Sequence, residues 1–254
     1  MNKNGLPVYN QDMAHWIDLT EKHLGIVLSD EQRKQFQMLE EELLAWNEKI
    51  NLTAIRDPLG VQEKHFFNSL TCFLGFKRPP ESMIDVGSGA GFPGLPVKIV
   101  LPEMRLTLVE SIDKKANFSR HIVDKLDLKD VTVLSKRAEE VGRMPAHREG
   151  YEIAVARAVA QAPVLAEYLL PLVKVGGRCL MQKGARAPEE IQEAGRIIGL
   201  CGGELSDLLR LSFEGIEGEG SLAIINKTRP TPGEFPRAVG VPAKKPILDS
   251  DGGK

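Results

Sequence analysis

Residues 82–94 read SMIDVGSGAGFPG and constrain the fold more than any other stretch of the chain. Met83, Ile84 and Val86 form a short apolar run around one acid, Asp85, and four glycines (Gly87, Gly89, Gly91 and Gly94) follow within eight positions. Glycine reaches positive φ and places no Cβ between backbone and ligand. A buried strand that breaks into such a loop and then opens a helix is a nucleotide-cofactor cradle. Ordinary tight turns would also use glycine, but four of them directly after a strand argue for the cradle.

The periodicity on either side places this loop in a larger pattern. Upstream, Met13, Trp16, Ile17 and Leu24 share a helical face over 11–25, with Gly25 as the stop. Ser29 and Gln32 make a capping-box pattern ahead of Phe36, Leu39, Leu43, Trp46 and Ile50, spaced by three and four. Asp57-Pro58 reads as N-cap and first helical residue of a third helix bearing Val61, Phe66, Leu70 and Leu74. Downstream, strands are predicted at 83–86, 106–109, 131–134, 152–156 and 178–182. Helices lie between them at 94–101, from a cap at Asp113, and at 163–174, with another over 188–200. Two further strands fall near 204–213 and 220–227. This alternation predicts an α/β, Rossmann-like, mostly parallel seven-stranded sheet with right-handed crossovers. The expected organisation is a helical extension at 1–80, the Rossmann-like domain at 81–228 and a basic, proline-rich tail at 229–254.

The 254 residues carry a net charge of −2, with 42% hydrophobic and 27% charged residues, so a basic surface for nucleic acid must be local. Cys72, Cys179 and Cys201 lie far apart without CxxC spacing, which suits reduced, buried thiols and a cytoplasmic protein. No signal peptide, membrane span or metal-ligand cluster is read from the sequence.

In such sheets ligands bind at the carboxyl ends of the strands. Asp85 with its glycines, Glu110, Ala138-Glu139, Arg157 and Lys183 should therefore share one rim. Gly89, Gly91 and Gly94 match GxGxxG, and Glu110 lies 19 residues past Gly91, which admits a dinucleotide and an NAD-dependent oxidoreductase. The alternative spacing, Asp85-x-Gly87-x-Gly89-x-Gly91, sets a carboxylate beside the first glycine. That acid suits an ammonium and a sulfonium and would repel a pyrophosphate. Glu110 can accept ribose hydroxyls, and the Ala138 N–H with the Glu139 carboxylate suits an adenine edge. S-adenosylmethionine fits these positions better than NAD.

DVGSGAGFPG, VES with KK at 109–115, KRAEE at 136–140, ARAVA at 156–160 and QKG at 182–184 resemble the RsmG (GidB) family. The resemblance extends to WNEKINLTAIRDP at 46–58 and FPRAVGVPAKKPI at 235–247, and so to nearly the whole chain. It implies an S-adenosylmethionine-dependent methyltransferase acting on guanine N7 in the 530 loop of 16S ribosomal RNA. Ala238 stands where the family often has Lys or Arg, which softens one basic contact.

The acceptor atom decides what chemistry is needed. An NPPY-like loop for exocyclic amines is absent after the fourth strand, and no cysteine sits where cytosine C5 chemistry would need a nucleophile. Guanine N7 carries a lone pair and no proton, so no catalytic base is assigned. The cofactor-binding set is expected to be Asp85, Gly87, Gly89, Gly91, Phe92, Glu110, Ala138, Glu139 and Arg157. The substrate set is expected to be Asn51, Arg157, Lys183, Arg237, Lys244 and Lys245. Arg157 could instead pair with a helix acid on the surface, Asn47 and Asn51 could cap a helix, and His65 reads as an ordinary helix-face histidine. From Arg229 to Lys245 four basic residues face one acid among four prolines, a plausible RNA-contacting flap or else a disordered tail, and DSDGGK at the end reads as disordered. The chain is expected to work as a monomer on 16S rRNA or a 30S particle. A non-catalytic RNA-binding or ribosome-assembly factor is the remaining alternative.

Overall fold

A computed structural model describes residues 11–216 and 218–249. The expectations for the leader and for the last five residues fall outside that range. Seven strands form one sheet: β1 Ser82–Val86, β2 Arg105–Val109, β3 Val131–Leu134, β4 Tyr151–Arg157, β5 Val173–Lys183, β6 Gly203–Leu211 and β7 Gly220–Lys227. Their order is β3-β2-β1-β4-β5-β7-β6. β1 to β5 pair in parallel, while β7 runs antiparallel to both β5 and β6. The chain winds outward from β1 through β2 to β3, then returns to β4 on the other side of β1. That reversal opens a crevice at the carboxyl ends of β1 and β4, where open α/β sheets bind ligands. All five residues of β1 are buried, as a parallel strand covered on both faces requires.

One face of the sheet carries the helical extension. The Asp30–Asn47 helix begins at the expected capping box: Gln32 N donates to Ser29 Oγ (3.2 Å) and Ser29 N donates to Gln32 Oε1 (2.9 Å). The Gln32 amide also donates to the carbonyls of Ile99 and Val100, which ties this helix to the Gly94–Val100 helix behind the glycine loop. Trp16, Phe36 and Phe66 meet ring to ring at 4.9 to 5.5 Å. They belong to the same hydrophobic core as Leu95, Leu108, Leu180 and Leu222, so extension and sheet bury one continuous apolar volume. The opposite face packs Ala154 and Ala156 of β4 under Leu165, Leu169 and Ile197.

The third helical run opens as expected, with Asp57 Oδ1 accepting from Gly60 N at 2.7 Å and Pro58 in the first turn. It then becomes a π-helix over Val61–Phe67 and continues through Asn68–Leu70 into a 3₁₀ turn at Thr71–Gly75. Other elements depart from expectation. The predicted 163–174 helix ends at Leu169 because Pro171 follows; a 3₁₀ turn spans Leu170–Leu172, and Val173 already belongs to β5. The predicted 188–200 helix is two helices, Ala187–Glu193 and Gly195–Leu200. Asp113 is the first residue of its helix, with Ile112 at the cap. Ala138 and Glu139 do not end β3 but open a short helix, Ala138–Val141.

The tail is docked rather than splayed. Arg148 donates to the carbonyls of Gly142, Thr231, Pro232 and Phe235 at 2.7 to 3.0 Å. Glu149 accepts from Thr231 N (2.7 Å), and Glu139 Oε1 accepts from Gly240 N (2.8 Å). Glu167, 1% exposed, takes the backbone N–H and the guanidinium of Arg237 at 2.7 to 3.0 Å. Removing that guanidinium strands a buried carboxylate. Arg237→Ala is therefore expected to cost about 3 kcal/mol, a fall of roughly 6 °C or more in melting temperature. Thermal melts check this, and Glu167→Leu in the same background should recover part of the loss.

Candidate functional site

The rim is built from the glycine loop outward. After β1 the chain takes left-handed conformations at Gly87, Gly89 and Gly91. At Gly91 a side chain would overlap Leu95, so that glycine serves packing. At Gly89, with φ +58°, an added Cβ would meet nothing within 4 Å, so the loop turns a bare, open backbone to solvent there. An open face over a left-handed glycine is what close approach of a ligand needs.

Two acids flank the loop. Asp85 is fully buried, and its Oδ2 accepts from Gly94 N at 2.8 Å. Its Oδ1 has no protein partner, and the buried hydroxyls of Ser88 and Ser119 also lack one. Burial pushes the Asp85 carboxyl up to about 7, against the pull of the Gly94 N–H and the Arg157 charge, with Glu110 adding to the rise. Glu110, 6% exposed just after β2, accepts from Gly89 N at 2.9 Å and Ile112 N at 2.7 Å. Each of its oxygens keeps a lone pair for a hydroxyl. Ile112 is 51% exposed, an apolar side chain held open directly after the Glu110 turn. An unpartnered carboxylate oxygen, an open glycine and a second carboxylate at the next strand end fit the polar groups of S-adenosylmethionine.

On the other side of β1, Arg157 ends β4 and lies over the Phe92 ring, 5.5 Å from its centroid. It donates to the Lys64 carbonyl (2.9 Å), to His65 Nδ1 (3.0 Å) and, at 3.4 Å, to Asn68 Oδ1. Burial draws its pKa down to about 10, offset by Asp85. Arginine only donates, so His65 Nδ1 must be the acceptor and Nε2 carries the proton. Nε2 then donates to Thr53 Oγ1 at 2.9 Å. The imidazole also stacks on Phe92, centroids 4.5 Å apart and planes 5° apart. Burial, with Arg157 beside it, draws the His65 pKa down to about 3, so the ring is neutral. Arg157, Ala158 and Lys183 line a cavity of about 440 Å³. Its walls come from the third helical run (Lys64, Phe67, Asn68) and from the end of β6 with the turn to β7 (Leu211, Phe213).

The structure thus gathers Asp85, Gly87, Gly89, Gly91, Phe92, Glu110 and Arg157 around one loop. Lys183 reaches the rim, but its Nζ is held by the Ala160 carbonyl (2.7 Å) and Glu190 (2.6 Å). The Glu139 carboxylate accepts from Gly240 N and is engaged by Tyr168, so it anchors the tail as well as standing near the rim. Ala138 beside it is the first helical residue, whose N–H has no partner within its helix. Arg237 is likewise committed to Glu167, while Lys244, Lys245 and Asn51 are exposed. Asn47 is structural: its side chain clamps the following loop by accepting from Leu52 N and Thr53 N and donating to the carbonyls of Thr53 and Ile55. His65 and Thr53 were missed as rim residues. Asn51 of the NLT segment was expected at the site, but the periodicity of the third helix did not show that His65 faces the glycine loop. Among the described residues no cluster of His, Cys, Asp and Glu is placed to hold a metal, and no helix is long and apolar enough to cross a membrane.

A parallel sheet with antiparallel β7 inserted between β5 and β6, and acids ending β1 and β2 around a glycine loop, defines a Rossmann-like fold of the methyltransferase type. An O-methyltransferase from Bacillus cereus, solved in complex with SAH, shares the fold at a TM-score of 0.56 and 17% identity, over 83% of this chain and 96% of that one. The family model described as rRNA small subunit methyltransferase G, GidB, matches residues 32–213. A ribosomal RNA small subunit methyltransferase G from Roseiflexus sp. is 50% identical over 228 residues, 90% of this chain and 97% of the relative. Its namesake from Staphylococcus carnosus is 44% identical over 92% of this chain and 99% of its own length. The chain belongs to the rRNA small subunit methyltransferase G family.

The two shifted groups at the rim act on stability in opposite directions. Asp85 titrates near 7 folded against 3.8 unfolded, so its contribution is present below about pH 4 and is lost as pH rises through 7. His65 titrates near 3 folded against 6.5 unfolded, so its contribution grows as pH rises from 3 to 6.5. Asp85→Asn keeps an acceptor for Gly94 N and removes only the first effect. Relative to wild type, the ligand-free Asn variant should gain stability on the order of a few kcal/mol between pH 4 and 8. Denaturant melts across that range test this; parallel curves would show that Asp85 does not ionise against its burial.

Proposed function

We propose that this protein transfers a methyl group from S-adenosylmethionine to N7 of a guanine in the 530 loop of 16S ribosomal RNA, acting on the RNA or on a 30S particle. The observation that carries this reading is the meeting of two half-sites at the β1/β4 switch point. One is an acid-flanked glycine loop; the other is a cavity lined by Arg157. Family membership supports the RNA substrate, and the fold supports the cofactor.

When bound, S-adenosylmethionine supplies a methyl group on a positively charged sulfonium. This chain's residues bind and align. Asp85 Oδ1 is available to a cationic group, Glu110 to ribose hydroxyls, and Gly89 permits close approach. A dinucleotide pyrophosphate would meet a carboxylate here, which disfavours the oxidoreductase reading. The cavity is read as the place of the target base: Arg157 lines it, placed to donate to O6 or a phosphate, and Phe67 and Phe213 give it apolar walls. N7 has no proton to lose, so alignment and electrostatic fit suffice. Both nitrogens of His65 are already engaged, which agrees with a reaction that asks for no base. Exposed Arg56, Lys64, Lys244 and Lys245 offer phosphate contacts that should weaken with salt.

Small subunits from a strain lacking the gene, incubated with labelled methyl donor, should gain one 7-methylguanosine in the 530 loop. Failure to label them would refute the reading. Asp85→Asn should weaken cofactor binding, and Arg157→Ala should slow methylation, each by about 10- to 100-fold, the worth of a charge-assisted hydrogen bond. If Arg157→Ala changed neither methylation nor cofactor affinity, its assignment would fall.

A further inference from the structure

We infer that His65 is the positioning residue of this site, holding the Arg157 guanidinium where it lines the cavity; the inference rests on the methyl-transfer reading. The imidazole connects three segments that are distant in sequence. Its Nδ1 accepts from Arg157 at the end of β4. Its face lies on Phe92 of the glycine loop. Its Nε2–H is fixed by Thr53 of the loop after the Asp30–Asn47 helix. Thr53 is itself immobilised, because Asn47 bonds both its N–H and its carbonyl. The tautomer is thereby set by the surroundings.

Arg157 needs such a hold. A free arginine side chain has about 2 kcal/mol of rotamer entropy to lose, and the unpartnered Asp85 Oδ1 attracts its charge from inside the loop. Its other contacts are the Lys64 carbonyl, a long bond to Asn68 and the face of Phe92. His65 supplies a neutral acceptor that holds the guanidinium beside the cavity without adding a further negative charge. It does so from a π-helical turn, Val61–Phe67, whose irregular winding is common where a side chain must be re-aimed.

The test is a double-mutant cycle on the full-length protein with 30S subunits. His65→Phe keeps the stack on Phe92 and removes the acceptor. His65→Asn keeps an acceptor near the Nδ1 position and gives up the stack. His65→Phe is expected to lower kcat by about tenfold, with KM for subunits and cofactor Kd within about twofold. His65→Asn should recover most of kcat. In an Arg157→Ala background, His65→Phe should lower kcat no further, because its effect passes through Arg157. Wild-type kcat in His65→Phe would overturn the inference, as would an equal fall with and without Arg157. Thermal melts of each variant separate misfolding from these outcomes, and the His65→Asn arm decides if His65→Phe does not fold. An inactive wild type would instead refute the methyl-transfer reading and leave a distinct result.

Discussion

The hydrogen bond from Gly94 N to the buried carboxylate of Asp85 is the constraint on which the rest of the site depends. A carboxylate at the centre of a parallel sheet is costly to ionise. It is tolerated because it joins the last residue of β1's interior to the first turn of the next helix across the glycine loop. The joint is close: a side chain at Gly94 would stand 2.5 Å from Leu108 and 3.0 Å from Asp85 Oδ2. The loop is therefore stapled from below by Asp85 and from the β2 side by Glu110, which holds Gly89 N. At Gly89 its backbone is left bare. Because β2, β1 and β4 are neighbours, the same register that buries Asp85 brings Glu110 to one side of the loop and Arg157 to the other.

What could be read from sequence was what short-range rules determine. The capping box at Ser29, the Asp57-Pro58 start and the strand–glycine–helix turn each rest on bonds within a few residues, and each stands in the structure. The parallel order followed from alternation and handedness. The sequence could not show partners brought by a distant segment. Glu139 looked like a free strand-end acid until Gly240 reached it from about a hundred residues away. Arg237 looked like a basic surface residue until the tail laid it against Glu167. In both cases a charged side chain expected to meet a ligand already has an internal partner, because the tail packs over Arg148 and the Ala162–Leu169 helix.

His65 shows the opposite failure. Between Lys64 and two buried phenylalanines it has the profile of an ordinary helix-face histidine, and nothing in its neighbours' periodicity marks it. Its surroundings are made by folding alone: a ring from the glycine loop, a guanidinium from β4 and a hydroxyl from the NLT loop converge on one imidazole. The convergence explains why the helical extension shares a core with the sheet. A wall of the cavity and the partner of Arg157 both belong to the extension, while the acids and the glycines belong to the sheet. Packing of Trp16, Phe36 and Phe66 fixes the third helical run against Phe92, at a ring distance of 6.2 Å for Phe66. The same contact that buries apolar surface thereby sets the height of His65 over the loop. Stability and site geometry are in this region one interaction, because the rings that bury apolar surface are the rings on which His65 rests.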